Sequence, residues 1–393
     1  MDRSLYLFNP EHDLALANND RNFNAPQQAK QLAHDLACLP LWYAPNGSII
    51  LTNSQKDDWA NKIQSLFPQI AESELTTTPD FSQITSLSPW GWDTAVHKQL
   101  IQLGTNANLL PTDALLNTIR QLSHRSIAIK ALQFIQTHNS SFTQLPQLGQ
   151  ELTAMDDVEK YALTYSQVIF KAPWSGSGKG LCWSRDTMTD SRRGWCRNVI
   201  EKQGSVIGEP IYDKLLDFAL EFECRDGQVS FAGYSLFETE KGTYRSNFLL
   251  SNESVVLKLT ECGLSSEQLL SVQQQLQTFI AIEIAPNYSG MLGIDMFTYK
   301  ENEQVKLHPC VEINLRMTMG CVAHIFYDRF VASDKSGRFY IDHSPIPGAL
   351  YTDHLQRETN LPLRLNGERI AKGYLSLTNI NPSSHYRVRV EIE

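Results

Sequence analysis

Gly293-Ile294-Asp295-Met296-Phe297-Thr298-Tyr299, a polar turn from Lys300 to Gln304, and then Leu307-His308-Pro309-Cys310-Val311-Glu312-Ile313-Asn314 form the stretch that decides the fold. Two largely apolar arms around a polar turn are the pattern of an antiparallel hairpin. Residues i and i+2 of a strand point to one face, so Glu312 and Asn314 project together while Val311 and Ile313 turn into a core. Asp295 can face the pair from the other arm. Three hard oxygen donors suit Mg²⁺, which takes one or two carboxylates and leaves positions for phosphate and water. A solvated polar strand face is the plainer alternative. Arg316 has the same parity, and a cation on this face has a use if a phosphate sits there too.

Upstream, Val168 to Trp174 reads as a strand, followed by Ser175-Gly176-Ser177-Gly178-Lys179-Gly180 and a second strand, Leu181 to Ser184. Glycine lets the backbone approach a ligand closely, so clustered amides can cradle phosphate oxygens, and Lys179 adds a mobile cation. This is not a GxxxxGK[ST] loop: Pro173 holds the first Gly position and Gly180 follows the Lys. A strand rather than a helix comes next, so the loop is a hairpin flap, with an ordinary surface turn as the competing reading.

Outward from these motifs, Leu5 to Phe8 and Ile49 to Thr52 read as short buried strands, with a helix from Ala25-Pro26 to Cys38 between them. Pro89-Trp90-Gly91-Trp92-Asp93 is a tight turn into a helix containing Ala95, Leu100 and Leu103. That succession gives an N-terminal α/β domain over residues 1–118. Ile119 to Thr137 has one apolar helical face, 138–148 is a polar loop, Val206 to Ile211 and Ala219 to Phe231 read as strands, and Glu267 to Ala281 as a helix. The last seventy or so residues carry no motif. No repeat or low-complexity tract is visible.

The 393 residues are enough for two or three domains, with 42% hydrophobic and 20% charged residues as in a globular protein. A net charge of −9 without a Lys/Arg cluster argues against a nucleic-acid surface. The seven cysteines, at 38, 182, 196, 224, 262, 310 and 321, include no CxxC pair, which reads as reduced thiols rather than a disulfide or zinc framework. The apolar run before Asn9 is too short for a signal-peptide core, and no stretch approaches the roughly 20 apolar residues of a bilayer span. A cytoplasmic protein is expected, acting on small molecules, with no nucleic acid or membrane partner and a homodimer allowed.

In their order these parts resemble the ATP-grasp superfamily over roughly residues 120–320. The resemblance implies an α/β (α+β) chain: an N-terminal α/β pre-ATP-grasp domain at 1–118, an ATP-grasp domain at 119–320 with subdomains near 119–205 and 206–320, and a C-terminal extension at 321–393 packed on it. In Ser123-His124-Arg125 it makes Arg125 a phosphate contact; in Val168-Ile169-Phe170-Lys171 it sends Lys171 to the α- or β-phosphate. Ser175, Gly176, Ser177, Gly178, Lys179 and Gly180 become the flap. In Gly208-Glu209-Pro210-Ile211-Tyr212 it puts Glu209 near the adenine amino group and gives Tyr212 the amide that meets the ring. Pro210 replaces a common Lys. Asp217 takes the ribose hydroxyls, and Asp295, Glu312 and Asn314 match the metal ligands. Glu-Ile-Asn-Leu-Arg is similar to the family's Glu-x-Asn-x-Arg variant, in which Arg316 helps to hold the transferring phosphate. Gly293 stands where D-alanine–D-alanine ligase has an Arg, which argues against that enzyme's substrates.

The implied activity is a carboxylate–amine ligase that converts ATP to ADP and phosphate with Mg²⁺, Mn²⁺ being able to substitute. The γ-phosphoryl group passes to a carboxylate, and a nucleophile attacks the acyl phosphate. A small-molecule kinase on the same fold, as inositol phosphate kinases resemble, and a non-catalytic nucleotide binder are the alternatives. For substrate contacts the sequence offers Glu11 and His12, in Asn9-Pro10-Glu11-His12-Asp13 after the first strand, where ligands of α/β folds bind. It also offers Arg245 and Asn247 in Tyr244-Arg245-Ser246-Asn247. Asx capping and loop roles compete with both.

Overall fold

The computed structural model describes residues 3–393 except 54–57, 139–144, 166, 177, 179 and 241–242. The chain divides into two compact units: Met1–Leu116 with Arg245–Ser254 and Arg316–Glu393, and Asn117–Tyr244 with Val255–Leu315.

The first unit opens with β1 (Arg3–Leu7), α1 (His12–Asn18), α2 (Gln27–Asp35), β2 (Ile49–Leu51), α3 (Asp58–Leu66), β3 (Glu74–Thr76), β4 (Ile84–Pro89) and α4 (Thr94–Gln102). The strands form a parallel sheet in the order β3-β2-β1-β4. The chain leaves β1 towards β2 on one side and returns to β4 on the other, so a crevice opens at the carboxyl ends of β1 and β4. Pro26 stands just before α2, where its missing N–H costs nothing. Asp93 caps α4, accepting from Ala95 N at 2.8 Å and Val96 N at 2.9 Å.

In the second unit the single helix expected over 119–137 is two: α5 (Asp113–Leu122), which begins just before the unit boundary, and α6 (Ser126–His138). The break at Ser123-His124-Arg125 has a physical cause. Arg125 N donates to Pro173 O at 3.2 Å instead of continuing a helix ladder, and its guanidinium binds the flap. Next come β5 (Gln150–Leu152), α7 (Met155–Thr164), β6 (Val168–Lys171), β7 (Leu181–Ser184), α8 (Asp190–Gln203) and β8 (Val206–Pro210), whose strands form an antiparallel sheet ordered β5-β8-β6-β7. The strand expected over 219–231 is a hairpin of β9 (Asp213–Arg225) and β10 (Gln228–Glu240), because Asp226 and Gly227 both take positive φ at the turn. After β11 (Thr243–Leu249), α9 (Asn252–Glu261) and α10 (Ser266–Glu283), the unit closes with β12 (Gly290–Glu301) and β13 (Gln304–Asn314), in the order β13-β12-β9-β10.

The remainder, α11 (Met319–Phe330), β14 (Gly337–His343), α12 (Ala349–Asn360), β15 (Arg364–Asn366), β16 (Arg369–Ser376) and β17 (Tyr386–Ile392), belongs to the first unit, with strands ordered β11-β14-β17-β16-β15. The residues read as a C-terminal extension thus share a core with the N-terminal ones. Trp42, fully buried, packs edge-on against Phe67, Phe326 and Phe330 at 5.7, 5.5 and 5.2 Å, an arrangement favoured by the ring quadrupoles.

Candidate active site

The β12–β13 hairpin is present, and its register places Asp295 directly opposite Glu312. Directly opposed residues share a face, so the two carboxylates stand side by side, and Asn314 Nδ2 donates to Asp295 Oδ2 at 3.3 Å. Ala219 of β9 pairs with Asp295 on the other side. Among the described residues no group of three or more His, Cys, Asp or Glu side chains is gathered for a metal ion. The donor set here is two carboxylates and a carboxamide.

Two buried cations meet this row. Arg125 Nη2 donates to both Glu312 oxygens, at 2.8 and 2.9 Å, while Nη1 donates to Ala172 O at 3.0 Å and Ser175 Oγ at 3.1 Å. Lys171 Nζ donates to Glu209 Oε2 at 2.5 Å. The geometry follows from register: Ile169 faces Glu209 across β6–β8, and Lys171 is two residues further along the same face. Burial pulls the Lys171 ammonium below its usual range, opposed by the Glu209 charge. Cys310 marks where the groups converge. Its thiol is pushed up by burial and then by the charges of Asp295 and Glu209, with Lys171 opposing.

Two residues further along β12, and four along β13 across a register shift, lies an aromatic row. Asp217 of β9, Phe297 of β12 and His308 of β13 are paired in turn across the sheet. The Phe297 ring meets His308 at a tilt of 38° with ring centres 4.8 Å apart, and the Tyr212 ring meets His308 at 5.5 Å and Tyr299 at 4.6 Å. Asp217 accepts from Lys214 Nζ at 2.9 Å and Thr239 Oγ1 at 2.8 Å, and Lys214 Nζ lies 4.3 Å from the centre of the Phe297 ring. The Tyr212 hydroxyl accepts from Gln147 N at 3.1 Å.

The flap joins β6 to β7, as expected, and Ala172 N donates to Gly180 O at 2.9 Å. Gly178 has φ +71°, and a Cβ on Gly180 would overlap the Ser175 side chain, so both glycines are needed. Gly176 is half-buried. Ser177 and Lys179 lie outside the described residues.

The remaining predicted residues lie in the first unit. Glu11 and His12 stand at the crevice between β1 and β4. His12 Nδ1 lies 3.2 Å from Asp93 Oδ2, and Asn9 Nδ2 donates to Gly91 O at 2.8 Å and Asp93 Oδ2 at 3.3 Å. Burial pushes the Glu11 carboxyl above its usual range, Asp93 adding to the effect, and its Oε2 is buried with no partner among the described residues. Arg316 forms a two-pronged pair with Asp13, at 3.0 and 2.9 Å. On β11, Arg245 is exposed and Asn247 fully buried, opposite Phe339. Sequence reasoning did not assign roles to Asn9, Asp13, Asp93 or His308. Only the Asp-before-helix pattern at Asp93 offered a signal, and it reads as a cap.

No family model matches the chain, and no curated protein matches it. Solved structures do. N5-carboxyaminoimidazole synthetase from Staphylococcus aureus, complexed with ADP, overlays at TM-score 0.51 and 12% identity, covering 100% of this chain and 94% of that one. Biotin carboxylase from Campylobacter jejuni, in its β-γ-ATP complex, overlays at 0.54 and 11%, covering 100% and 88%. N5-carboxyaminoimidazole ribonucleotide synthetase from Thermus thermophilus gives 0.50 and 12%, covering 99% and 93%. These are ATP-grasp structures, and this chain has the ATP-grasp fold.

Proposed function

We propose that this chain is an ATP-dependent ligase that activates a small-molecule carboxylate as an acyl phosphate for attack by an amine or similar nucleophile, releasing ADP and phosphate. The observation that carries the reading is the opposed Asp295–Glu312 pair with Arg125 on Glu312 and Lys171 beside it. Carboxylates and buried cations on one face supply both halves of a metal–triphosphate site. The ADP in the Staphylococcus neighbour supports the nucleotide.

The donors fit Mg²⁺, and Mn²⁺ as well: all are hard oxygens, and each Glu312 oxygen keeps lone-pair capacity beyond its bond to Arg125. Asp295, Glu312 and Asn314 would hold the ion, which when bound screens the triphosphate charge. Lys171 and Arg125 bind phosphate oxygens, and Asp217 accepts from the ribose hydroxyls. Glu209 and the Tyr212 amide take the edge of the base. The flap, Ser175 to Gly180, excludes water so that the acyl phosphate survives until the nucleophile attacks. Arg316 serves the transferring phosphate by exchanging its Asp13 partner. Glu11 and His12 at the crevice, with Arg245 and Asn247, serve the substrates, and Lys179 the γ-phosphate. The described residues include no helix long and apolar enough to cross a membrane, and the reading places the enzyme in the cytoplasm.

A coupled ADP-release screen over pools of amino acids and other carboxylates tests the proposal. ADP and phosphate formed only when an acid and a nucleophile are both present support it. A phosphorylated alcohol as product, or nucleotide binding with no turnover for any pool, overturns it.

A further inference from the structure

His308 is buried, 4% exposed, and its Nδ1 is enclosed with no partner among the described residues. An enclosed polar atom left unsatisfied costs free energy, so each instance calls for an explanation, and a missing ligand is one. The surroundings favour that explanation over a packing accident. Phe297, directly opposite His308, is two residues from Asp295 on the same strand face, about 7 Å along β12. The sheet therefore changes, over two residues of β12 and four of β13 across a register shift, from carboxylates met by cations to the rings of Phe297, Tyr212 and His308, with Asp217 next in the row. A ligand with an anionic end, a hydroxylated middle and a flat aromatic end fits that sequence of surfaces. Burial, with the charges of Lys171 and Lys214, holds the imidazole neutral, and a neutral imidazole offers one donor and one acceptor.

We propose that His308 is a specificity-determining residue for the nucleobase, its imidazole accepting a hydrogen bond from the exocyclic amine of adenine. This rests on the nucleotide reading of the same site. It makes the base end selective, because a base without that amine leaves the imidazole unpaired in an aromatic wall.

Equilibrium binding of ATP, purine riboside triphosphate (which lacks the amine) and inorganic tripolyphosphate tests it, on the full chain and on His308→Phe and His308→Gln. The wild type should prefer ATP to the purine riboside nucleotide by roughly tenfold, the scale of one buried hydrogen bond. His308→Phe should narrow that preference at least about threefold and leave tripolyphosphate binding unchanged, which also shows an intact fold. His308→Gln, which keeps an acceptor, should restore part of it. An equal preference in wild type and His308→Phe overturns the inference while leaving the nucleotide site standing. A wild type that binds tripolyphosphate no worse than ATP overturns it as well. A wild type that binds none of the three overturns the nucleotide reading itself.

Discussion

Arg125 holds both carboxylate oxygens of Glu312, at 2.8 and 2.9 Å, across a sequence separation of 187 residues. The same guanidinium holds Ala172 O and Ser175. The residue at the break between α5 and α6 therefore ties the β12–β13 hairpin to the loop between β6 and β7. Charge-assisted, two-pronged bonds of this kind fix geometry as well as contribute energy.

Glu312→Gln should lower turnover about a hundredfold or more, since it removes a ligand charge and the counter-charge that positions Arg125. The amide still accepts one bond, so the stability loss should be about 1–3 kcal/mol. ADP production in millimolar magnesium and urea unfolding measure the two effects. Wild-type turnover would remove Glu312 from the site.

Lys171→Ala should weaken ATP far more than adenosine. A charge-assisted bond to phosphate contributes roughly 1.5–3 kcal/mol, so ATP binding should fall about 10- to 100-fold. Titration calorimetry with both ligands checks this. Equal weakening of the two would mean that the Lys171–Glu209 pair supports the pocket rather than the phosphates.

Much of this arrangement was legible in the residues. Alternation along β12 and β13 gave the shared face of Asp295, Glu312 and Asn314, because strand periodicity is local and strict. The turn between β6 and β7 was readable from its glycines. The break at Arg125 was not, since it is made by contacts to Pro173, Ser175 and Glu312 that no helical pattern encodes. Nor was the common core of Trp42 with Phe326 and Phe330: burial partners nearly three hundred residues apart leave no local trace. Nor was the place of His308, which is set by its pairing with Phe297 across β12 and β13.

Gly91→Ala should destabilise the first unit by about 1–3 kcal/mol through overpacking. A Cβ there would lie 2.6 Å from the His12 ring, which is buried and held against Asp93 and so cannot yield. Thermal unfolding measures the loss. A variant as stable as the wild type would show that the crevice loops repack freely.

The neutral His308 gives a pH signature. Its folded pKa lies well below the ordinary value, chiefly through burial, with Lys171 and Lys214 adding to it. Below about pH 6.5 the unfolded chain takes up a proton there and the folded chain does not. Stability must therefore fall as pH falls through this window, by up to about 1.4 kcal/mol per unit. His308→Phe removes that contribution, so its loss of stability between about pH 7 and about pH 5 should be smaller than that of the wild type. Parallel urea midpoints would show the difference, and identical pH slopes would mean that His308 is protonated in the folded protein.

The flap offers the last test, because it separates a phosphate cradle from a passive turn. Ser175 to Gly180 has three glycines in six positions, and ordering such a segment costs about 1–2 kcal/mol per residue in backbone entropy. Contacts from its amides and Lys179 to a triphosphate must offset that cost, whereas adenosine offers them nothing. ATP with magnesium should therefore slow amide exchange in peptides spanning 175–180, and adenosine should not. Gly178→Val should slow turnover about tenfold or more, since φ +71° is a strained conformation for a β-branched residue. Ser175 provides a control within the same loop. Its side chain is already held by Arg125, so Ser175→Ala should loosen the base of the flap and weaken ATP less than Gly178→Val does. Exchange in these peptides that is equally slow with and without nucleotide would mark a rigid hairpin, and the cradle role would then pass from the flap to Lys171 and Arg125 alone.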